Sequence, residues 1–185
     1  NPIIFDVGAN IGNFSLCANI FYPKSLIYSF EPINKTYSIL HKNCVSYKNI
    51  KCYNCAIGDK AGILELFTSD DESDRASFNK SNMTSTFFRS EKVRKITLDE
   101  FTEKNNIKGI DILKIDVEGF EYEVILGSKS ILKSCEYLII EFHLKDYPEK
   151  SSKLISYLLH NQFHIFSIGK TWKKSKEDQI HVIDL

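Results

Sequence analysis

An acid, two glycines and two asparagines crowd the segment Asp6-Val7-Gly8-Ala9-Asn10-Ile11-Gly12-Asn13. Glycine adopts backbone angles closed to other residues and lacks the Cβ that would hold a ligand away, so such a turn can approach a ligand closely. A dinucleotide fingerprint reads Gly-x-Gly-x-x-Gly, but Asn10 and Asn13 occupy its third and sixth positions. A carboxylate two residues before the first glycine would repel a diphosphate, yet it suits a ligand with positive charge, such as an amino-acid ammonium group. Glu31 follows 25 residues after Asp6, near the separation at which an acid ending the second strand meets the hydroxyls of a bound ribose. One carboxylate can accept from both hydroxyls of the diol. A cationic nucleoside without phosphate matches S-adenosylmethionine.

Methyl transfer is an in-line displacement, in which the enzyme's main task is to hold a nucleophile close to the methyl carbon at the right angle. A hydroxyl acceptor must also lose a proton, and a positioned base assists that loss by ~10²–10⁴-fold. The ionisable residues placed for this work are Lys114, Asp116, Glu118, Glu121 and His143. If Ile115 and Val117 face a layer of helices, Asp116 points the other way and shares a face with Lys114 and Glu118. Asp116, Glu118 and His143 are the candidate catalytic groups, and an imidazole with an ordinary pKa near ~6.5 suits a base. Each has a structural alternative: Lys114 pairing with Asp116 or Glu118, Glu121 favoured by a helix dipole, His143 bonded to a neighbouring loop. Carboxylates at one sheet edge could also bind a divalent cation; the reading adopted assigns no metal.

The elements that must position these groups follow from hydrophobic periodicity. Ile3-Ile4-Phe5-Asp6-Val7 predicts a strand, and Phe14, Cys17, Ala18 and Phe21 a helical face that stops before Pro23. Residues 26–30 predict the second strand, Tyr37, Leu40, His41 and Cys44 a second helix, and residues 52–57 the third strand. Strand–helix alternation argues for parallel strands with helices on both faces. Residues 62–67 read as a strand, residues 68–95 as a polar insertion with little periodicity, either a lid over an acceptor or a surface loop. A short helix opens at Asp99-Glu100-Phe101, and residues 110–117 form a confident strand. Residues 121–132 predict a helix interrupted at Gly127. Residues 137–142 are the most apolar strand and are expected at the centre of the sheet. A helix through Leu154 and Leu158, then strands at 163–168 and 180–185 as an antiparallel hairpin, close the chain.

The chain has 185 residues, 43% hydrophobic and 26% charged, which predicts one globular domain. It does not begin with Met and enters its first strand almost at once, so a missing N-terminal segment is expected. No run approaches the ~18 apolar residues of a membrane span, and no basic-then-apolar leader is present. Lys plus Arg and Asp plus Glu both number 24, leaving no net excess to hold a phosphate polymer or an acidic membrane. The basic runs at residues 92–95 and 170–176 are read as solvated faces, so no nucleic-acid partner is expected. Five cysteines at irregular spacing predict free thiols in a reducing, cytoplasmic setting. The Cys52-x-x-Cys55 pair lacks the further ligands that zinc needs. Four Asn-x-Ser/Thr matches reflect an Asn-rich composition.

Several blocks, in order, resemble the FkbM-type methyltransferases: Asp6-Val7-Gly8-Ala9-Asn10-Ile11-Gly12, Phe30-Glu31-Pro32, Ala56-Ile57-Gly58-Asp59, Ile96-Thr97-Leu98-Asp99, Lys114-Ile115-Asp116-Val117-Glu118-Gly119 and Ile140-Glu141-Phe142-His143. The resemblance implies a three-layer α/β class I methyltransferase (Rossmann-like) sheet, mostly parallel, with S-adenosylmethionine as donor. It implies O-methylation of a hydroxyl on a carbohydrate or other small metabolite. By position, Asp6, Gly8, Ala9, Asn10, Gly12 and Asn13 would surround the methionine part. Glu31 and Pro32 would lie at the ribose, Ala56 and Ile57 at the adenine, and Asp116 would face the sulfonium or the acceptor. The alternative from another class is a catalytically inactive cofactor-binding or scaffold domain of the same fold.

Overall fold

The computed structural model describes residues 1–68, 76–77, 89–142 and 147–166. Its strands are β1 (Ile3–Val7), β2 (Leu26–Phe30), β3 (Ile50–Tyr53), β4 (Ala56–Ile57), β5 (Gly62–Thr68), β6 (Ala76–Ser77), β7 (Arg89–Ile96), β8 (Ile110–Ile115) and β9 (Cys135–Ile140). Helices α1 (Asn13–Phe21), α2 (Asn34–Cys44), α3 (Leu98–Lys104), α4 (Glu121–Leu126) and α5 (Pro148–His160) connect them, with a 3₁₀ turn at Ile131–Ser134.

Five parallel strands form the main sheet in the order β3-β2-β1-β8-β9. The chain starts at the centre, steps outward to β3, then returns to add β8 and β9 on the other side. That reversal beside β1 is where an open α/β sheet leaves a crevice at its carboxyl edge. Alternation along β1 divides its side chains between two cores. Ile4 packs with Ala18, Ile27, Leu40 and Cys44 under α1 and α2. Phe5 and Val7 pack with Phe101, Val124 and Leu154 on the opposite face. Phe101 stands edge-on to Phe5, Tyr28, Phe30 and Tyr53 at 4.9–5.8 Å between ring centroids, the geometry favoured by ring quadrupoles.

The segment expected as one strand over residues 52–57 is two. β3 closes the main sheet, while β4 pairs with β7 in a second sheet, β4-β7-β5-β6. Asn54 makes the break, its side-chain amide donating to the Glu31 and Pro32 carbonyls. Cys52 and Cys55 therefore part company. The Cys52 thiol hydrogen-bonds with Cys44 of α2 instead, an interaction that lowers the pKa of Cys44 and raises that of Cys52. Burial pushes the Cys55 thiol up to about 11, with Arg94 opposing, which leaves it inert.

Residues 89–95, the end of the stretch expected to be aperiodic, belong to a strand. β7 pairs antiparallel with β5 along its length, Glu65 opposite Lys92 and Ile63 opposite Arg94. Lys95 turns inward to Asp59 at 2.7 Å. Only Val93 and Ile96 are apolar in β7, so hydrophobic alternation carried no signal there. Residues 69–75 and 78–88 of the polar insertion lie outside the described residues.

Among the described residues β9 is an outer strand, not the central one. Leu138 and Ile140 are fully buried while Tyr137 and Ile139 are only half-buried, so its apolar run does not mean two fully covered faces. Residues 163–166 pair with no strand, and the rest of the expected hairpin lies outside the described residues.

Thr97 starts α3 with a reciprocal capping box, its hydroxyl accepting from the Glu100 N–H and the Glu100 carboxylate from the Thr97 N–H. Asp99 reaches out of that helix to accept from the Ser130 and Ile131 N–H groups. The Thr97-Leu98-Asp99 block thus welds α3 to the 3₁₀ turn. Gly127, ending α4, lets the second sheet close on the first, because a Cβ there would overlap the Gly58 carbonyl oxygen. Gly127→Ala is expected to cost roughly 1–3 kcal/mol, read as a lower urea midpoint at unchanged slope. An unchanged midpoint would show that the two sheets do not depend on this approach.

Candidate active site

The turn after β1 is wound by positive φ at every second residue: 77° at Gly8, 50° at Asn10 and 96° at Gly12. Asparagine tolerates this region better than other side-chain-bearing residues, which accounts for Asn10 in the middle place. The two glycines make room for the protein itself. A Cβ on Gly8 would overlap the Asp116 carbonyl oxygen, and one on Gly12 would press on Leu40 and Cys44 of α2. Of the turn residues expected around a methionine group, Gly8 and Asn10 line the cleft, while Ala9, Gly12 and Asn13 are not among its lining residues.

The turn also consumes its own donors. The N–H groups of Gly8 and Ala9 donate to the Phe30 carbonyl, and Gly12 N–H donates to Ala9. Asn10 N–H donates to Glu31 Oε2 at 3.0 Å. Four amides that a diphosphate would need are already taken.

Beneath the turn lies a buried polar row. Asp6 sits opposite Ser29 of β2 and Lys114 of β8 in register. Ser15 of α1 donates to Asp6 Oδ2 at 2.6 Å and lies 2.7 Å from the Ser29 hydroxyl. Lys114 Nζ lies 3.2 Å from Asp6 Oδ1 and 3.4 Å from Asp116 Oδ2, and donates to the Gly8 carbonyl at 2.8 Å. Burial alone would pull the Lys114 pKa down, but the Asp6 and Asp116 carboxylates outweigh it and the net shift is upward. Asp6 is 0% exposed. Its carboxylate is engaged by Lys114 and by Ser15 of α1.

The cleft opens above this row and encloses about 820 Å³, the solvent space at its mouth included. Glu31 projects into it from the end of β2. Its Oε1 accepts from Ile33 N–H and its Oε2 from Asn10 N–H, both at 3.0 Å, leaving further lone pairs for a ligand. Burial raises its pKa to about 7, against the lowering pull of those amides and Lys114. Pro32, Ala56 and Ile57 form the adjoining wall, with Asp116 and Glu118 opposite. Leu66 and Phe120 complete an apolar slot that the sequence reading missed.

A second left-handed corner follows β8, with φ of 50° at Glu118 and 95° at Gly119. It breaks the strand alternation, so Glu118 is placed by this corner and not by period two. The Tyr147 ring lies where a Gly119 Cβ would be. Lys150 of α5 stands 5.5 Å above the Phe120 ring and 2.6 Å from Glu123. Glu121 accepts from the Gly119 N–H at 2.9 Å, the helix-start role expected of it. His143 lies outside the described residues.

Residues 6–165 match the methyltransferase FkbM domain. The chain belongs to the FkbM methyltransferase domain family. Its members depend on S-adenosylmethionine, and the α/β sheet is a class I methyltransferase fold. The hexuronic acid methyltransferase AglP of Haloferax volcanii is 29% identical, over 84% of this chain and 62% of its own length. The 2-O-methyltransferase NoeI of Sinorhizobium fredii is 23% identical, over 77% of this chain and 63% of that protein. The chain thus spans about three fifths of these curated relatives. Fibrillarin from Aeropyrum pernix, solved with S-adenosyl-L-methionine, superposes with a TM-score of 0.57 at 14% identity, covering 100% of this chain and 66% of that one. At that identity the likeness is one of fold.

Within this family member, Phe120 directly follows the Lys-Ile-Asp-Val-Glu-Gly string, and the corner at Gly119 brings its ring to the cleft. Lys114 has a structural role that tests readily. Lys114→Met strands the Asp6 carboxylate in the core and is expected to cost about 3–5 kcal/mol in denaturant unfolding. The double variant Asp6→Asn with Lys114→Met should recover part of that loss; no recovery would mean the two do not act as a pair.

Proposed function

We propose that this chain transfers a methyl group from S-adenosylmethionine to a hydroxyl of a carbohydrate or other small metabolite. The observation that carries the reading is Glu31. It is a buried acid at the cleft end of β2, held by two amides yet with acceptor capacity to spare, beside a turn in which the Gly8, Ala9, Asn10 and Gly12 amides already have acceptors. That combination suits a ribose diol and rejects a diphosphate.

The lining fits such a donor. Glu31 takes the ribose hydroxyls, and the slot of Ala56, Ile57, Leu66 and Phe120 takes the flat adenine. Asp116 and Glu118 supply negative charge where a cationic methionyl sulfonium would lie. When bound, the donor supplies an electrophilic methyl group, and the protein's own task is orientation. Asp6 acts through Lys114, which fixes Asp116 and the Gly8 carbonyl. Asp116, Glu118 and His143 are the candidates to orient the acceptor hydroxyl and receive its proton. The methylated hydroxyls implied by the name of NoeI, and the sugar acid in that of AglP, support a carbohydrate acceptor.

Glu31→Ala is expected to weaken S-adenosylhomocysteine binding at least tenfold by calorimetry, since a hydrogen bond to a charged group contributes ~1.5–3 kcal/mol. Unchanged affinity would remove Glu31 from the site. The pH dependence has a definite sign. Ionising Glu31 costs folding stability as pH rises from 4.5 to about 7, but a diol donating hydrogen bonds favours the ionised form. Affinity should therefore fall about tenfold from pH 8 to pH 6. Glu31→Gln should flatten that profile, and a flat profile in the native chain would contradict the assignment.

Asp116→Asn should reduce turnover far more than S-adenosylhomocysteine affinity. The reverse pattern would assign Asp116 to cofactor binding alone.

A further inference from the structure

Zero net charge conceals a lopsided surface. Up to Gly58 the sequence carries five lysines, Lys24, Lys35, Lys42, Lys48 and Lys51, and only two acids, Asp6 and Glu31. All five lysines are exposed and both acids are buried. Within this segment the exposed fixed charge is therefore entirely positive.

The same region carries the most exposed large apolar residues of α1 and α2. Ile20 is 75% exposed, Phe21 73% and Val45 63%, with Tyr22 and Tyr47 beside them in sequence. These residues end α1 and follow α2. Asn49 binds the two ends together, its side-chain amide donating to Asn19 Oδ1 at 2.7 Å and to the Ser25 carbonyl at 3.0 Å. Both helices leave the carboxyl edge of the sheet and finish at its amino edge. The apolar residues thus gather at the end of the molecule opposite the cleft, ringed by Lys24, Lys42 and Lys48.

We propose that this face docks on an anionic phospholipid surface, with the cleft opening away from the bilayer. Aromatic and aliphatic side chains beside lysines match the chemistry of the headgroup–acyl boundary. Lysine stems span apolar surface while their ammonium groups reach anionic headgroups. Two other occupants fit less well. A second copy in a two-fold contact would set these lysines against their own copies. Single-stranded RNA would stack on Phe21, Tyr22 and Tyr47, but Ile20 and Val45 would gain nothing, and no arginine offers a planar fork to phosphate. No helix among the described residues is long and apolar enough to cross a membrane, so the association is peripheral.

Co-sedimentation of the 185-residue chain with phosphatidylcholine vesicles, with and without about one third phosphatidylserine, tests this. The expected result is partition onto the anionic vesicles, at least ~tenfold above the neutral ones and falling with salt. Two variants at exposed positions should each lower it ~tenfold: K24E/K42E/K48E through charge and F21S/Y22S through insertion. Equal thermal melts certify that both still fold, and S-adenosylhomocysteine affinity should not move in either. Partition that is equal on both vesicle types, or unchanged in both variants, overturns the proposal. So does binding to an RNA oligomer in the absence of vesicle binding. A dimer in light scattering that F21S/Y22S dissociates, with no partition onto vesicles, would assign the face to self-association instead.

Discussion

A carboxylate and an ammonium group buried between two adjacent parallel strands set the rest of this molecule. Asp6 and Lys114 are cross-strand neighbours at the carboxyl ends of β1 and β8, where the chain reverses direction across the sheet. Removing two charges from water is costly unless each is paired and further hydrogen-bonded. Here Ser15 satisfies one Asp6 oxygen while Lys114 also holds the Gly8 carbonyl and Asp116. One ion pair therefore fixes four things: the start of α1, the path of the glycine turn, the end of β8 and the direction of Asp116. Asp6 thereby anchors groups that line the cleft beside it.

The turn above it is closed by the protein, not left open for phosphate. Gly8, Asn10 and Gly12 bend it with left-handed backbone, and Glu31 takes the amide that the bend exposes. Such a turn has the outline of a nucleotide loop and the opposite electrostatics. A phosphate loop offers a fan of N–H donors, whereas this one offers a carboxylate. Glu31 pays for the arrangement in desolvation, and its raised pKa records that cost. A ligand that donates hydrogen bonds offsets it, and a ligand that only accepts them cannot.

Where the backbone encodes its own geometry, the sequence was legible. Positive φ favours Gly or Asn, a strand shows its apolar run and a helix its apolar face; so β1, α1, β2, α2, α3 and β8 could be read locally. What escaped reading depends on contacts between distant segments. The split of residues 52–57 into two sheets follows from Asn54 bonding to the end of β2. β7 is held by pairing with β5 and by the Lys95–Asp59 bridge, not by apolar alternation. Phe120 comes to the cleft only because Glu118 and Gly119 abandon the strand conformation. The packing of Gly12 against Leu40 and Cys44, and the pairing of Asp6 with Lys114, escaped reading for the same reason: these partners are remote in sequence.

The cleft consequently has two halves of different origin. The Glu31 half is assembled from one turn and the end of the neighbouring strand, over a span of barely thirty residues, and its groups are held by backbone amides. The half facing Asp116 and Glu118 is bounded by a strained corner that α5 clamps through Tyr147 and Lys150. Local backbone strain persists only where surrounding contacts over-determine it, and here the contacts come from the far end of the chain. Substitutions in α5 can therefore re-aim Glu118 without touching β1, the turn or Glu31. Lys114 still ties the two halves together through Asp116 and the Gly8 carbonyl, so it is the corner at Glu118 and Gly119 that can shift while the Glu31 half stays in place.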